Sequence, residues 1–135
     1  MYKSTTKIRV RYAETDMMGY VYYGNYATYF EVARVEAIKK LGFSYRKMED
    51  EGIALPVLDF SIRYYKPAFY DDEITIETTI TELPKARIHF TYKCLNEKGE
   101  LINEAKTTLV FINKENLKPC SAPADFIDAM SKFFN

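Results

Sequence analysis

The stretch Tyr12-Ala-Glu-Thr-Asp16-Met-Met-Gly19-Tyr-Val-Tyr-Tyr23-Gly-Asn25-Tyr26 separates two backbone periods, and the fold is read outwards from it. Ahead of it, Ile8, Val10 and Tyr12 alternate with Lys7, Arg9 and Arg11, the period of two of a half-buried strand. Beyond it, Tyr26, Tyr29, Phe30, Ala33, Ala37 and Leu41 fall on one face of a helix, with Glu31, Glu36 and Lys39 elsewhere on the wheel. Gly42 stands where that helix would stop. Gly19 and Gly24 punctuate the loop between the two elements. The loop therefore carries an acid, Asp16, towards the start of a helix. A carboxylate can act as nucleophile or base, and the backbone N–H groups at a helix N-terminus can hold a developing oxyanion.

Four more segments have a strand period. Leu58, Phe60, Ile62 and Tyr64 alternate with Asp59, Ser61, Arg63 and Tyr65, and Pro67 ends or bends that strand near an edge. After a turn at Asp71-Asp72, Ile74, Ile76, Thr78 and Ile80 alternate with polar residues. After Pro84, Ile88, Phe90, Tyr92 and Cys94 do the same. Asn96-Glu-Lys-Gly99 is a hairpin signal. Leu101 to Asn113 reads as the last long strand, with a bulge near Asn103-Glu104. A short C-terminal helix follows, with Ser121 near its cap, Pro123 in its first turn, and Phe126, Ile127, Met130 and Phe134 on its apolar face. The order predicts one α+β domain over residues 1–135: a long central helix wrapped by a curved antiparallel sheet of about five strands.

Composition narrows the chemistry. A chain of 135 residues with 47% hydrophobic content can bury a core. Nineteen basic residues balance nineteen acidic ones, which gives no long-range attraction to nucleic acid or to an anionic membrane. The N-terminus lacks the apolar core of a signal peptide, no apolar run reaches the length of a membrane span, and Cys94 and Cys120 form neither a metal pair nor a disulfide framework. A cytoplasmic location is expected. His89 is the only histidine, so a histidine-rich zinc site is excluded, and a Ser-His-Asp or Cys-His system could use only His89. There is no Walker-type loop and no G-x-G-x-x-G. The chemistry falls to a carboxylate and backbone groups.

The pattern Tyr12-x-Glu14-Thr15-Asp16-x-x-Gly19-x-Val21-Tyr22-Tyr23-x-Asn25-Tyr26, followed by Tyr29-Phe30-Glu31-x-Ala33-Arg34, resembles the hotdog-fold acyl-CoA thioesterases, in particular the 4-hydroxybenzoyl-CoA thioesterase and YbgC types. The resemblance implies a helix wrapped by an antiparallel sheet. It also implies homodimers or homotetramers with sheets joined edge to edge and active sites at the subunit interface. It implies hydrolysis of an acyl-CoA, or of an acyl group on acyl carrier protein, with no metal or cofactor. By the resemblance Asp16 is the catalytic carboxylate, as nucleophile or as general base. Tyr23 supplies the backbone N–H that polarises the thioester carbonyl. YbgC-type members usually have histidine where this chain has Tyr23; the hydroxybenzoyl type has tyrosine there.

Simpler readings stand beside these. Asp16 could be a loop or cap residue, Gly19 and Gly24 ordinary turn residues, and Asn25 the helix cap. For Gly19 the functional reading is a close backbone approach to substrate. Tyr22, Tyr26 and Tyr29 at helical spacing read as core or interface. Glu31 could position water or pair with Arg34 or Lys39. Lys85 and Arg87, after Pro84, are candidates for binding the phosphates of coenzyme A, with Lys66 a weaker one; the alternative is a solvated turn. A non-catalytic acyl-thioester binding module would share the scaffold without hydrolysis.

Overall fold

In a computed structural model of the chain, which describes residues 1–134, the strands in chain order are β1 (Tyr2–Arg9), β2 (Ile53–Ala54), β3 (Val57–Tyr64), β4 (Glu73–Ile80), β5 (Arg87–Leu95), β6 (Leu101–Val110) and β7 (Ile112–Asn113). The helices are α1 (Asn25–Lys39), α2 (Tyr45–Asp50) and α3 (Ala124–Ser131). Five strands form one antiparallel sheet in the order β1-β4-β5-β6-β3, and β2 pairs with β7 in a separate two-stranded ribbon. This is the α+β hotdog architecture.

The period of two sets the inner face. Ile74, Ile76, Thr78 and Ile80 on β4 and Ile88, Phe90, Tyr92 and Cys94 on β5 are all buried. Helix α1 lies across β1 and β4 and buries Tyr26, Tyr29, Phe30, Ala33, Arg34, Ala37 and Ile38. Ala33 and Ala37 let the helix backbone come close to the sheet. The Phe30 ring stacks on Tyr92 with centroids 4.5 Å apart. Each large apolar side chain buried this way contributes about 1.5–3 kcal/mol.

Several boundaries differ from the sequence reading. The first strand runs from Tyr2 to Arg9, and Tyr12 lies in a single 3-10 turn with its side chain exposed. Tyr2 and Ser4 face inwards, and the polar run Lys3–Lys7 hid that period. A second helix, α2, was not anticipated; it is one and a half turns capped by Ser44, whose Oγ accepts from the Lys47 N–H at 3.0 Å. The segment from Leu101 to Asn113 divides after Val110, and Ile112–Asn113 leaves the main sheet to pair with β2. The bulge in β6 sits at Ile102, one residue before the expected position, because Cys94 pairs with Asn103 and Leu95 with Leu101. Pro123 occupies the N-cap of α3, just ahead of the first turn. On β3 the alternation in sequence does not become alternating burial: only Ile62 is partly covered, and Val57, Leu58, Phe60 and Tyr64 are exposed. The strand is at the sheet edge, and among the described residues no strand pairs with its outer side.

Candidate active site

The loop that carries Asp16 is closed by its own backbone. Thr15 bridges Val21, the Asp16 N–H donates to Tyr20 O at 3.0 Å, and the Gly19 N–H donates to Asp16 O at 3.0 Å. Asp16 Oδ1 accepts from the Met18 N–H at 2.8 Å, so the residue also fills the structural role of a turn aspartate. Gly19 has φ +85°, a left-handed conformation that disfavours a Cβ. The far side of the loop is clamped to the segment after β3: Tyr20 bridges Phe69, and the Val21 N–H donates to Ala68 O at 2.9 Å.

Glu14 ties this loop to α1. Its carbonyl accepts from Asn25 Nδ2 at 2.8 Å and from the Tyr22 N–H at 2.9 Å. Its carboxylate accepts from the Arg11 N–H, the Tyr29 hydroxyl and the Arg11 guanidinium. Burial pushes the Glu14 carboxyl up, and those hydrogen bonds together hold it below the ordinary value. Asn25 is thus a tether in the first turn of α1, and Gly24 takes the N-cap position in its place. A Cβ on Gly24 would lie 2.9 Å from the Tyr22 ring, so a larger residue there requires that ring to move.

The chain enters α1 through tight bonds from the Asn25 N–H to Tyr22 O and from the Tyr26 N–H to Tyr23 O. The Tyr23 N–H itself, just ahead of the helix, has no acceptor among the described residues. The helix N-terminus adds partial positive charge there. The Tyr23 carbonyl accepts from the Tyr64 hydroxyl at 3.2 Å. Asp16 and Tyr23 both line one cleft of about 320 Å³, walled further by Tyr20, Val21, Tyr26, Tyr64, Tyr65, Lys66 and Pro67. Opposite Tyr64 on β6, the side chain of Asn103 is fully buried, and neither of its polar atoms has a hydrogen-bond partner among the described residues.

The structure brings Asp16, Gly19, Tyr23 and Lys66 to one end of the sheet. It does not bring Lys85 and Arg87 there. Arg87 begins β5 and pairs with Val110. The Asp16 end is the far end of that strand, roughly 25 Å away at about 3.3 Å per residue. Lys85 is exposed, and its carbonyl accepts from the Ala122 N–H. Lys66 is paired with Glu100. His89 points to the outer face of the sheet, where Nδ1 meets Thr108 Oγ1 at 2.9 Å. Glu31 makes no ion pair among the described residues, and Lys39 pairs with Glu36 instead. Sequence reasoning missed Glu14 as the tether and Tyr64 as a wall of the cleft. Glu14 lies in the quoted motif, and Tyr64 ends a strand just before Pro67, but the contacts of both are long-range.

Residues 10–130 match the family model described as the thioesterase-like superfamily. The chain belongs to that superfamily. Among its relatives is the acyl-CoA thioester hydrolase YbgC of Escherichia coli, 32% identical over 120 residues, which span 89% of this chain and 90% of that one. A solved DHNA-CoA thioesterase from Staphylococcus aureus is 43% identical with a TM-score of 0.94, covering 98% of this chain and 91% of the other. A variant of 4-hydroxybenzoyl-CoA thioesterase bound to 4-hydroxybenzoyl-CoA is 25% identical with a TM-score of 0.86, covering 96% and 99%. The chain is a hotdog-fold thioesterase. No helix among the described residues is long and apolar enough to cross a membrane.

Proposed function

We propose that this thioesterase hydrolyses an acyl-CoA to the free acid and the CoA thiol, with Asp16 as nucleophile or general base and the Tyr23 backbone N–H as oxyanion donor. The observation that carries the reading is the shared cleft of the Asp16 carboxylate and the unpartnered Tyr23 amide. As a base, Asp16 takes a proton from water, and the resulting hydroxide adds to the thioester carbon. As a nucleophile, it forms an acyl anhydride that water then opens. In both routes the Tyr23 N–H holds the tetrahedral oxyanion, and its collapse expels the thiolate, which takes up a proton.

The cleft walls are largely tyrosine, which suits a flat aryl acyl group. The named aryl substrates of the relatives above agree with that fit. The working unit is a homodimer, alone or within a homotetramer, joined through the uncovered edge of β3, and it acts in the cytoplasm. A two-fold axis beside β3 turns the Arg87 end of one sheet towards the Asp16 end of the other. Lys85 and Arg87 then serve the partner's cleft, where they meet the phosphates of coenzyme A.

Asp16→Asn keeps the turn bond from the Met18 N–H and removes the charge. It is expected to lower kcat by about a hundredfold or more while folding normally. Unchanged turnover in the folded variant removes Asp16 from the chemistry. Tyr23→Phe keeps the amide and is expected to keep kcat. Rapid-quench mass spectrometry of a single turnover separates the two routes, since only the nucleophilic route adds the acyl mass to Asp16. Matched acyl-CoA and acyl-carrier-protein substrates, compared side by side, decide the carrier. Binding of a thioester analogue with no hydrolysis would leave only a binding module.

A further inference from the structure

We propose that β3 pairs antiparallel with β3 of a second copy in one register, with the two-fold axis at Ser61, so that Asp59 faces the partner's Arg63 on both sides of the axis. This rests on the β3-joined dimer proposed above and specifies its register.

The edge is built for a partner strand. β3 ends the sheet order, so among the described residues its outer backbone groups have no neighbouring strand. Helix α1 lies over β1 and β4 and leaves Phe60 38% and Tyr64 43% exposed although both are on the inner side. The only irregularity is at Leu58, between the pairs Val57–Leu109 and Asp59–Thr108, so residues 59 to 64 form the regular part of the edge.

Residues opposite each other across an antiparallel pair point to the same side of the sheet. A two-fold axis beside β3 therefore passes at one residue. The outer side of this segment is Asp59, Ser61 and Arg63, opposite Thr108, Lys106 and Glu104 of β6. An axis at Asp59 or at Arg63 sets like charges against each other. An axis at Phe60 or at Ile62 leaves each charge opposite an uncharged residue. An axis at Ser61 sets Asp59 against the partner's Arg63 twice and places Phe60 against the partner's Ile62. Neither Asp59 nor Arg63 forms an ion pair among the described residues, so both are available. The inner contacts are apolar in each of the central registers; the two outer charges select among them.

Two experiments on the full chain test the register. In a Cys120→Ser background, Ser61→Cys places two thiols directly opposite one another across the axis, at a Cβ separation of about 4.5–5.5 Å that mild oxidation can close. The expected result is a covalent dimer for Ser61→Cys and none for Phe60→Cys or Ile62→Cys. Separately, Asp59→Arg or Arg63→Asp alone is expected to weaken the dimer by about tenfold or more, and the double swap to restore it. Cross-linking through Phe60→Cys or Ile62→Cys, or single reversals that leave dimerisation unchanged, overturns the register while the dimer stands. A wild-type chain that is monomeric by light scattering overturns the dimer itself.

Discussion

The Tyr29 hydroxyl donates to Glu14 Oε1 at 2.8 Å, which joins the buried face of α1 to the turn just ahead of the Asp16 loop. The bond fixes where the loop stands relative to the helix N-terminus, and hence Asp16 relative to the Tyr23 amide. Tyr29→Phe removes one hydrogen bond to a charged group and is expected to cost about 1–3 kcal/mol of stability. Denaturant melts measure that cost. Hydrolysis assays are expected to record a fall in kcat with Asp16 intact.

Acid should loosen the same tether. The bonds from Arg11 and Tyr29 outweigh burial and hold the folded Glu14 carboxyl below its ordinary value of 4.5. Its contribution is therefore present above the unfolded value and is lost as pH falls through the folded one. Glu14→Gln should lower stability at neutral pH and flatten this part of the acid limb. Melts of both proteins between neutral pH and pH 3 give the difference, and parallel curves would remove Glu14 as a source of the acid sensitivity.

Gly24→Ala drives a Cβ to within 2.9 Å of the Tyr22 ring at the start of α1. Activity should drop because the displaced ring shifts the neighbouring Tyr23 amide. Tyr22→Ala in the same chain opens the space and should recover part of the loss. Failure of the double variant to recover would mean that Tyr22 is not the obstruction.

Burial pushes the Cys94 thiol up to about 12, and its side chain is fully covered, whereas Cys120 is partly exposed. A thiol reagent at neutral pH should label Cys120 in the native protein and reach Cys94 only on unfolding. Mass mapping of the labelled sites checks this.

Core packing gives the largest expected cost. Phe30 is fully buried and stacks on Tyr92, so Phe30→Ala should cost about 3–5 kcal/mol in denaturant unfolding.

The elements with one strong period were legible in the sequence. The inward residues of β4 and β5 are the ones their alternation names, and the face of α1 follows Tyr26, Phe30, Ala33 and Ala37. β1 was placed too late because Ser4 and Thr6 are polar residues on its inner side. The six residues of α2 are too short to establish a period, and their cap at Ser44 is a local signal easily lost.

The site divides in the same way. The loop, its turn aspartate, the left-handed Gly19 and the helix that follows are local, and short-range sterics and hydrogen bonding write them into consecutive residues. The clamp from Glu14 to Tyr29, the Tyr64 wall against Tyr23 and the separation of Lys85 and Arg87 from Asp16 depend on strand order. Strand order is settled by how the whole chain buries its apolar faces. The sequence alone therefore determined the chemistry available to this protein, a carboxylate beside a helix N-terminus. Only the tertiary structure decided which distant residues share its cleft and which edge of the sheet is left for a partner, because those relations come from long-range packing that no local period encodes.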